Sequence, residues 1–279
     1  MIPTSEEILS KNPGALRVAT VNVNGIRAAY RRNMADWVAA RDVDILCLQE
    51  VRAPDKVVHE LVGEGWHILH AEAKDKGRAG VAVLSRTAPV ATRANIGDEY
   101  FNDAGRWVEA DFDVNGEILT VVSVYVHSGE LETQKQIDKY RFLERMTVRL
   151  AELKSEKDHV LAVGDMNVVH TEKDIKNWKP NHNKRSGVMD EEIAYFDHFF
   201  SDEFGYKDVV RELHPGEQGP YAWWSWRGQA FVNNAGWRID YQIATPALAA
   251  KAHNDTVDRA SAYDLRFSDH APVVVDYQF

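Results

Sequence analysis

The chain has 279 residues, of which 44% are hydrophobic and 27% are charged, and its formal net charge is -10. This composition is that of a globular protein with a sizeable core. The acidic excess argues against a protein that coats nucleic acid nonspecifically, because such binding requires Lys and Arg to neutralise phosphates. A nuclease is not excluded, since metal-binding carboxylates are acidic and a local basic rim can still steer a polyanion.

The single cysteine, Cys47, lies within the apolar run DILCLQE. This setting favours a buried, unreactive thiol over a nucleophile or a redox group. The N-terminal residues have no basic segment followed by an apolar stretch, and no run elsewhere approaches the roughly 18 apolar residues of a membrane span. We therefore expect no membrane association and a reducing, cytoplasmic location, associated with the nucleoid if the source is bacterial.

In chain order, residues 1–15 are predicted to form an N-terminal lead-in and residues 16–279 a single α/β domain. VATVNVNG is the first predicted strand and DILCLQE the second. The segment AAYRRNMADWVAARD between them predicts one helix, because apolar residues recur at three- and four-residue steps: Tyr30, Met34, Trp37 and Val38.

The middle of the chain predicts paired strands in AGVAVLSR, RWVEADF and EILTVVSVYV, with a hairpin turn at Asn115-Gly116. The longest helix is predicted within ETQKQIDKYRFLERMTVRLAELKSEK, with an apolar stripe of Ile137, Tyr140, Leu143, Met146, Leu150 and Leu153. Antiparallel pairing argues against a purely parallel sheet, and two packed sheets with outer helices fit better. The glycines form neither a GxGxxG nor a Walker-type loop, so we expect no nucleotide cofactor.

Five apolar runs end in, or lead into, polar residues: VATVNVNG, DILCLQE, VVSVYVHSG, VLAVGDMN and SDHAPVVV. Such runs are typical of buried strands, whose last side chains emerge at the rim of a sheet. Converging rims would gather Asn22, Glu50, Tyr125, Asp165, Asn167, Asp269 and His270 into one cleft. These residue types suit a hard divalent metal ion that holds a phosphodiester.

Glu50 directly follows a buried run, and a carboxylate there needs a partner such as Mg²⁺. A surface turn or a pair with Arg52 explains Glu50 equally well when it is taken alone. In GDMN, alternation along an extended chain would place Asp165 and Asn167 on the same side, although the string also fits a tight turn. In that arrangement Asp165 orients and deprotonates water or protonates a leaving oxygen, while Asn167 holds the nucleophile.

Asp269 and His270 precede an apolar strand in which charged side chains cannot be buried. Both are therefore expected at the rim of the sheet, where that strand begins. A histidine that contacts a phosphate needs its other ring nitrogen fixed, and Asp240 in GWRIDYQIA is the candidate carboxylate. Asn22 fits either the cleft or a plain turn before Gly25. Tyr125 fits either a phosphate contact or a buried aromatic residue.

Four of the eight tryptophans lie in PYAWWSWRG and GWRID: Trp223, Trp224, Trp226 and Trp237. Core packing and a pocket for an extruded sugar explain these rings about equally. Candidate basic rims for a polyanion lie in three places: Arg27 with Arg31 and Arg32, Arg52 with Lys56, and the stretch KDIKNWKPNHNKRSG. For any single lysine, an ordinary solvated surface is the alternative.

The motifs NVNGIR, LQEVR, VYVHSG, GDMNVVHTEKDI, WRIDYQI and SDHAP span nearly the whole chain in this order. In this respect the chain resembles the exonuclease III family of apurinic/apyrimidinic (AP) endonucleases, within the endonuclease/exonuclease/phosphatase superfamily. The resemblance implies a four-layered α/β sandwich of two mixed β-sheets between helices, as in deoxyribonuclease I. It implies hydrolysis of the phosphodiester 5′ to abasic sites in double-stranded DNA, with 3′→5′ exonuclease and 3′-phosphatase activities.

The resemblance also implies roles for individual residues. It assigns metal coordination to Glu50 with Asn22 and Asp269, and to Asp165 and Asn167 beside them, with Mg²⁺ as the ion and Mn²⁺ as an alternative. Catalytic roles fall to Tyr125, Asp165, Asn167, Asp240 and His270, and substrate contacts to Arg27, Arg52, Ser128, Trp223, Trp224, Trp237 and Ile239. Double-stranded DNA with abasic sites or 3′ ends is the expected partner of a monomer.

One position departs from that pattern. Most relatives carry Pro and then Asn or Gln after the tyrosine, whereas this chain has Val126-His127-Ser128. A shorter hydroxyl at Ser128 therefore replaces the expected amide. Two alternatives to a DNA-repair nuclease remain: a superfamily phosphodiesterase or phosphatase acting on inositol phosphate or lipid, and a DNA-binding module without catalysis.

Overall fold

A computed structural model describes residues 11–279, and residues 1–10 of the predicted lead-in lie outside the described residues. The strands are β1 (Ala15–Asn22), β2 (Ile45–Gln49), β3 (His67–Ala71), β4 (Val81–Ser85), β5 (Ala91–Arg93), β6 (Trp107–Val114), β7 (Glu117–Tyr125), β8 (His159–Asp165), β9 (Lys207–Asp208), β10 (Asp240–Ala244), β11 (Ala252–Val257) and β12 (Val273–Gln278). The helices are α1 (Ile26–Arg31), α2 (Met34–Arg41), α3 (Asp55–Val62), α4 (Gln134–Glu156), α5 (Trp178–Asn181), α6 (Asp190–Phe199), α7 (Val209–Leu213) and α8 (Pro246–Ala249).

The strands form two six-stranded mixed sheets. The first has the order β11-β12-β1-β2-β4-β3 and the second the order β5-β6-β7-β8-β10-β9. Within each sheet one central pair is parallel, β1 with β2 and β7 with β8, and the other pairs are antiparallel. The predicted pair of mixed sheets is confirmed.

The main core lies between the two sheets. Val18 and Cys47 of the first sheet meet Val121 and Leu161 of the second in one buried cluster. Burial raises the pKa of the Cys47 thiol, in line with the predicted unreactive group. Each fully buried Val or Leu side chain contributes roughly 1.5–3 kcal/mol through removal of apolar surface from water. The sheets are therefore held as one rigid support for the loops at their rims.

Helices cover the outer faces and give the predicted four layers. The second buried cluster packs α4 and α6 against the second sheet, and the third packs α1, α2 and α3 against the first. Across residues 11–279, no helix combines the length and the apolar character that a bilayer crossing requires.

The first predicted helix is divided in two. Asn33 adopts a left-handed conformation, with φ of 69°, and separates α1 from α2. The apolar face survives the break, because Met34, Trp37 and Val38 are all buried. The periodicity of the sequence thus identified the buried face but not the interruption.

The longest helix, α4, is confirmed, but one position of its predicted apolar stripe is wrong. Leu143, Met146 and Leu150 are buried, whereas Ile137 is 60% exposed. Lys139 is buried in the first turns instead. Here α4 faces the polar segment before α6 rather than an apolar sheet, so hydrogen-bonding groups occupy the inward positions.

Two local features of the backbone match the sequence pattern. The β6–β7 hairpin turns at Asn115 and Gly116, with φ of 56° and 87°, which are the left-handed angles of a type I′ turn. Gly164 precedes Asp165 in β8, and a Cβ atom there would lie 2.0 Å from the Val124 carbonyl oxygen. Only glycine permits this approach of β7 and β8 immediately before the catalytic candidate.

Stability at acidic pH should depend on His127. This ring packs edge-on against Phe101 and Phe142, and burial, reinforced by the charge of Arg106, lowers its pKa to about 3. Between pH 6.5 and 3 the unfolded chain binds a proton that the folded chain excludes, so stability falls as the pH falls through this window.

Between pH 7 and pH 5 the parent should lose about 2 kcal/mol of unfolding free energy through His127. The His127→Phe variant should not show this loss. Urea unfolding at the two pH values measures the difference. Equal losses in both proteins would contradict the buried, neutral imidazole.

Candidate active site

The sheet topology brings the polar strand ends to one rim. Asn22 ends β1 and Glu50 follows β2, while Tyr125 and Asp165 end β7 and β8 in register. Asp240 begins β10, which is antiparallel to β8, and the two aspartates are directly opposite each other. Because parallel strands end together and an antiparallel neighbour begins there, residues from distant segments share one edge.

The rim opens into a cleft of about 290 Å³. Its lining includes most of the predicted site: Glu50, Arg52, Tyr125, Ser128, Asp165, Asn167, Trp223, Trp237, Ile239, Asp269 and His270. The predicted convergence of the five apolar runs is therefore observed.

Asn22 joins two carboxylates beneath the cleft. Its Nδ2 atom donates to Glu50 Oε1 at 2.9 Å and to Asp165 Oδ2 at 2.8 Å. Its Oδ1 atom accepts from the backbone N–H of Asn24 at 2.9 Å. With its side chain fully engaged, Asn22 orients Glu50 and Asp165 rather than facing the cleft itself.

Glu50 has two further partners. The Tyr125 hydroxyl donates to Glu50 Oε1 at 2.9 Å, and Arg52 pairs with Oε2. Burial, followed by the charge of Glu50, raises the pKa of Tyr125, so the phenol remains a donor. The sequence left open whether Glu50 pairs with Arg52 or serves a metal site. The structure shows the pair with Arg52, and it also places Glu50 in the cleft.

Asp165 and Asn167 are adjacent in the cleft for a reason other than strand alternation. β8 ends at Asp165, and Asn167 has a left-handed φ of 49°. The Asn167 backbone N–H donates to Asp165 Oδ1 at 3.0 Å, and its Nδ2 atom donates to the Val126 carbonyl at 3.0 Å. The left-handed backbone at Asn167 and its N–H bond to Asp165, just past the end of β8, bring these two side chains together.

His270 lies between two aspartates. Its Nδ1 atom is 2.8 Å from Asp240 Oδ2, and its Nε2 atom is 3.8 Å from Asp165 Oδ2. Burial disfavours the imidazolium, but the charges of Asp240 and then Asp165 outweigh burial and raise the pKa of His270 to about 10. The predicted Asp240–His270 contact is therefore present, and it stabilises a charged ring.

Burial also disfavours the charged form of the neighbouring Asp165. For a carboxyl group this raises the pKa, here to about 7, although the His270 charge and the Asn22 hydrogen bond oppose the shift. A carboxyl group with a pKa near neutrality can exchange a proton with a reacting oxygen at physiological pH. A raised pKa of this kind is compatible with the predicted acid–base role of Asp165.

Asp269 also lines the cleft. Its Oδ1 accepts from Asn24 Nδ2 at 2.9 Å and its Oδ2 from Trp223 Nε1 at 3.2 Å. The preceding Ser268 donates to the Asn22 carbonyl at 2.6 Å, which ties this segment to β1. Asp269 is therefore positioned by an indole as well as by an amide.

Aromatic side chains form one wall. Trp223 and Trp237 meet edge to face, with ring centroids 5.5 Å apart, and Ile239 lies beside them. Trp224 does not belong to this wall. Its ring is 2% exposed, packs on Phe231 and donates to Asn234, so the structure corrects its predicted substrate contact to core packing.

Arg27 lies outside the cleft, in a neighbouring groove of about 210 Å³ that also includes Arg52, Lys76 and Arg78. Arg52 lines both the groove and the cleft. The basic groove formed by these four side chains gives a local positive surface next to the acidic site, despite the net charge of -10.

Three residues in or next to the cleft were not assigned to it by sequence reasoning: Asn24, Arg106 and Ser186. Arg106 lies over the Tyr125 ring at 4.7 Å and donates to the Tyr125 carbonyl at 3.3 Å. Asn24 and Ser186 line the cleft directly. Arg106 reaches the site only through the β6–β7 pairing, so no local pattern signals it. Asn24 lies two residues from Asn22, and that spacing was the available signal.

The oxygen-rich donor set fits a hard divalent cation. Glu50, Asp165 and Asp269 present carboxylates to one cleft, and such cations prefer oxygen ligands. Asp165, Asp240 and His270 also form a compact group in which ligand atoms lie within 4.8 Å of one another. His270 is the weaker metal ligand, because its Nδ1 is bound to Asp240 and its ring is held in the charged form. The carboxylates on the Glu50 side are therefore the better-suited oxygen donors for such a cation.

A carboxylate-rich cleft with an Asp–His pair, set on the rim of two packed mixed sheets, defines a metal-dependent phosphoesterase. The chain belongs to the endonuclease/exonuclease/phosphatase family, whose model matches residues 19–270.

Individual relatives agree with this assignment. An exodeoxyribonuclease of Bacillus subtilis (strain 168) is 33% identical over 259 residues, which cover 92% of this chain and 98% of the relative. A DNA-(apurinic or apyrimidinic site) endonuclease of Dictyostelium discoideum is 31% identical over 267 residues, covering 94% of this chain and 71% of the relative. The structure of the 3′-5′ exonuclease NExo from Neisseria meningitidis superposes with a TM-score of 0.84 at 27% identity, covering 95% and 100% of the two chains. The predicted resemblance to the exonuclease III family is confirmed.

Proposed function

We propose that this protein is a DNA-repair nuclease that hydrolyses the phosphodiester on the 5′ side of abasic sites in double-stranded DNA, with 3′→5′ exonuclease and 3′-phosphatase activities. The observation that carries the proposal is the meeting of Glu50, Asp165 and the Asp240–His270 pair in a cleft walled by Trp223 and Trp237. The similarity to DNA exonucleases and to an abasic-site endonuclease supports DNA as the substrate.

The reaction cleaves one P–O bond by attack of water on phosphorus. Asp165 takes a proton from the attacking water or supplies one to the leaving 3′ oxygen, and its raised pKa suits either task. The His270 imidazolium donates a hydrogen bond to a phosphate oxygen, where negative charge increases in the transition state. The Tyr125 hydroxyl, which donates to Glu50 in this structure, turns its one proton to the same phosphate when the substrate binds, and Asn167 holds the water against Asp165.

We propose Mg²⁺, with Mn²⁺ as an alternative, as the cation held by Glu50 and Asp269 together with Asp165 and Asn167, whereas the predicted coordination by Asn22 is replaced by a supporting role. When bound, the cation neutralises charge on the phosphate oxygens and on the leaving group. Because Asn22 is engaged with its neighbours, it contributes mainly by holding the Glu50 and Asp165 carboxylates in place.

Substrate contacts follow from the walls of the cleft. Trp223, Trp237 and Ile239 give an apolar surface suited to a sugar that lacks its base, since a flipped-out nucleotide needs a pocket outside the helix stack. The basic groove of Arg27, Arg52, Lys76 and Arg78 suits the phosphates of the same strand. We propose that the protein acts as a monomer in the cytoplasm.

A cleavage assay tests the proposal. A duplex with one tetrahydrofuran abasic analogue and an undamaged duplex are each incubated with Mg²⁺ or with EDTA. We expect nicking at the lesion that EDTA abolishes. Turnover of inositol phosphate or lipid without nicking would favour the phosphatase alternative, and tight DNA binding in fluorescence anisotropy without Mg²⁺-dependent cleavage would favour a non-catalytic module.

Ser128 is expected to influence the balance between the two nuclease activities. It is exposed at the cleft, and its carbonyl accepts a hydrogen bond from Ser186 Oγ at 2.8 Å, which fixes the backbone but leaves a short hydroxyl toward the substrate. Ser128→Asn supplies a longer amide donor and should change the ratio of abasic-site nicking to 3′→5′ degradation. Both rates are measured on labelled duplexes under the same conditions, and an unchanged ratio would refute a role for this side chain.

A further inference from the structure

A charged pair without exposed surface lies behind the cleft. Lys139 Nζ in α4 is 2.8 Å from Glu192 Oε1 in α6, and both side chains are 0% exposed. Such a pair adds little stability relative to apolar side chains of the same volume, because both charges lose their hydration. A contribution to folding alone is therefore a weak explanation for its presence.

The ammonium group of Lys139 has three oxygen neighbours, one for each of its protons. Besides Glu192, it donates to the Asn167 carbonyl oxygen at 2.8 Å and to Ser186 Oγ at 3.3 Å. Asn167 and Ser186 both line the cleft. The buried charge is thus connected directly to the backbone of a residue in the site.

Glu192 holds the other side of this arrangement. Its Oε1 accepts from Gln136 Nε2 at 2.8 Å and lies 3.0 Å from Ser186 Oγ. Its Oε2 accepts from the backbone N–H groups of Gly187 and Met189. The carboxylate therefore fixes the segment 186–189 at the N-terminal end of α6. A Cβ atom at Gly187 would lie 2.9 Å from the Asn167 carbonyl oxygen, so this segment packs closely on Asn167.

Asn167 has a left-handed φ of 49°, a conformation that asparagine adopts more readily than most non-glycine residues, and three hydrogen bonds fix it there. Its N–H is bound to Asp165, its carbonyl to Lys139 and its Nδ2 to the Val126 carbonyl. Among residues 11–279, no hydrogen bond is recorded for Oδ1, the polar atom left for a ligand in the cleft. The three restraints together set the direction of that atom and the orientation of Asp165.

We propose that Lys139, held by Glu192, is a positioning residue that fixes the Asn167 backbone and thereby the geometry of Asp165 and the attacking water. The inference rests on the proposed phosphodiester hydrolysis. It predicts that loss of the pair lowers the rate of the chemical step without weakening substrate binding, because neither side chain reaches the cleft.

The test replaces both charges at once, so that neither is left buried alone. Lys139→Met with Glu192→Gln should lower kcat for abasic-site nicking by about 10- to 100-fold and change KM by less than about threefold. The control is Arg149→Met with Glu109→Gln, a buried pair that joins the same helix to β6, with nitrogen and oxygen atoms 2.8 Å apart. The control should retain kcat within about twofold at a temperature where both variants are folded.

A double-mutant cycle separates positioning from general destabilisation. In an Asn167→Ala background, removing the Lys139–Glu192 pair should lower kcat by a smaller factor than in the parent. The side chain whose direction the pair sets is then missing, while the backbone carbonyl that Lys139 contacts and the N–H bond to Asp165 remain. Independent, multiplicative losses would overturn the proposal, and so would an equal loss of kcat in the Arg149–Glu109 control.

Hydrogen exchange gives a readout that does not depend on activity. The Asn167 amide should exchange at least about 10-fold faster in the Lys139→Met/Glu192→Gln variant than in the parent or the control. Unchanged exchange would contradict the proposal even if wild-type protein failed to nick DNA. Absence of nicking by the wild type would contradict the proposed function instead, so the two failures are distinguishable.

Discussion

Asp165→Asn is expected to lower the rate of abasic-site nicking on the order of 10³-fold or more, equivalent to about 4 kcal/mol of transition-state stabilisation. Asparagine has nearly the same shape and can still accept the Asn167 N–H bond that Asp165 Oδ1 accepts. It cannot accept a proton from water or supply one to a leaving oxygen. The loss should therefore fall on turnover, measured as the single-turnover nicking rate with saturating enzyme.

DNA binding serves as the control for Asp165→Asn. Anisotropy with the abasic duplex in EDTA should give a Kd within about threefold of the parent, because proton transfer contributes to the reaction and not to ground-state binding. Retention of more than about a tenth of the parent rate would show that the acid–base group lies elsewhere. A large loss of affinity with an unchanged rate would assign Asp165 to binding alone.

Asp240→Asn is expected to lower the nicking rate by about 10²- to 10³-fold and to move its pH dependence. In the parent, Asp240 raises the pKa of His270 to about 10, so the imidazolium persists through neutral and moderately alkaline pH. Without the negative charge, burial favours the neutral ring and the pKa of His270 falls. The alkaline decline in kcat should then occur at lower pH in the variant than in the parent.

Two comparisons check this assignment. His270→Ala should itself lower the rate on the order of 10³-fold, since it removes the donor to the phosphate. Adding Asp240→Asn to His270→Ala should have almost no further effect if Asp240 acts through the ring. An alkaline limb that stays in place in Asp240→Asn would contradict the role of the imidazolium, and measured kcat profiles from pH 6 to pH 10 decide it.

The amino-acid sequence was sufficient to predict the layered α/β fold. Apolar runs bounded by turn residues identified the main strands, and Asn115-Gly116 identified a hairpin through its preference for left-handed backbone angles. Periodicity also located the buried face of α4. It failed at Ile137, because a repeat of apolar residues does not show where the helix leaves the apolar sheet and meets a polar segment.

The sequence likewise identified most of the cleft, since polar residues at the ends of buried strands belong at the rim of a sheet. It did not separate the tryptophans: Trp223 and Trp224 are neighbours, yet one ring contacts Asp269 and the other fills the core. Sequence reasoning left the backbone at Asn167 open and did not predict its left-handed conformation, because hydrogen bonds from distant residues such as Lys139 help to fix it.

By itself, the sequence determined which segments are buried strands and which polar groups follow them, because these properties depend on local patterns of apolar and polar residues. Only the tertiary structure decided which of those groups touch. The Asn22 bridge between Glu50 and Asp165, the Asp240–His270 pair and the Lys139 contact with Asn167 all join residues that are at least 28 positions apart. Their distances and pKa shifts arise from packing and burial, which no local pattern encodes.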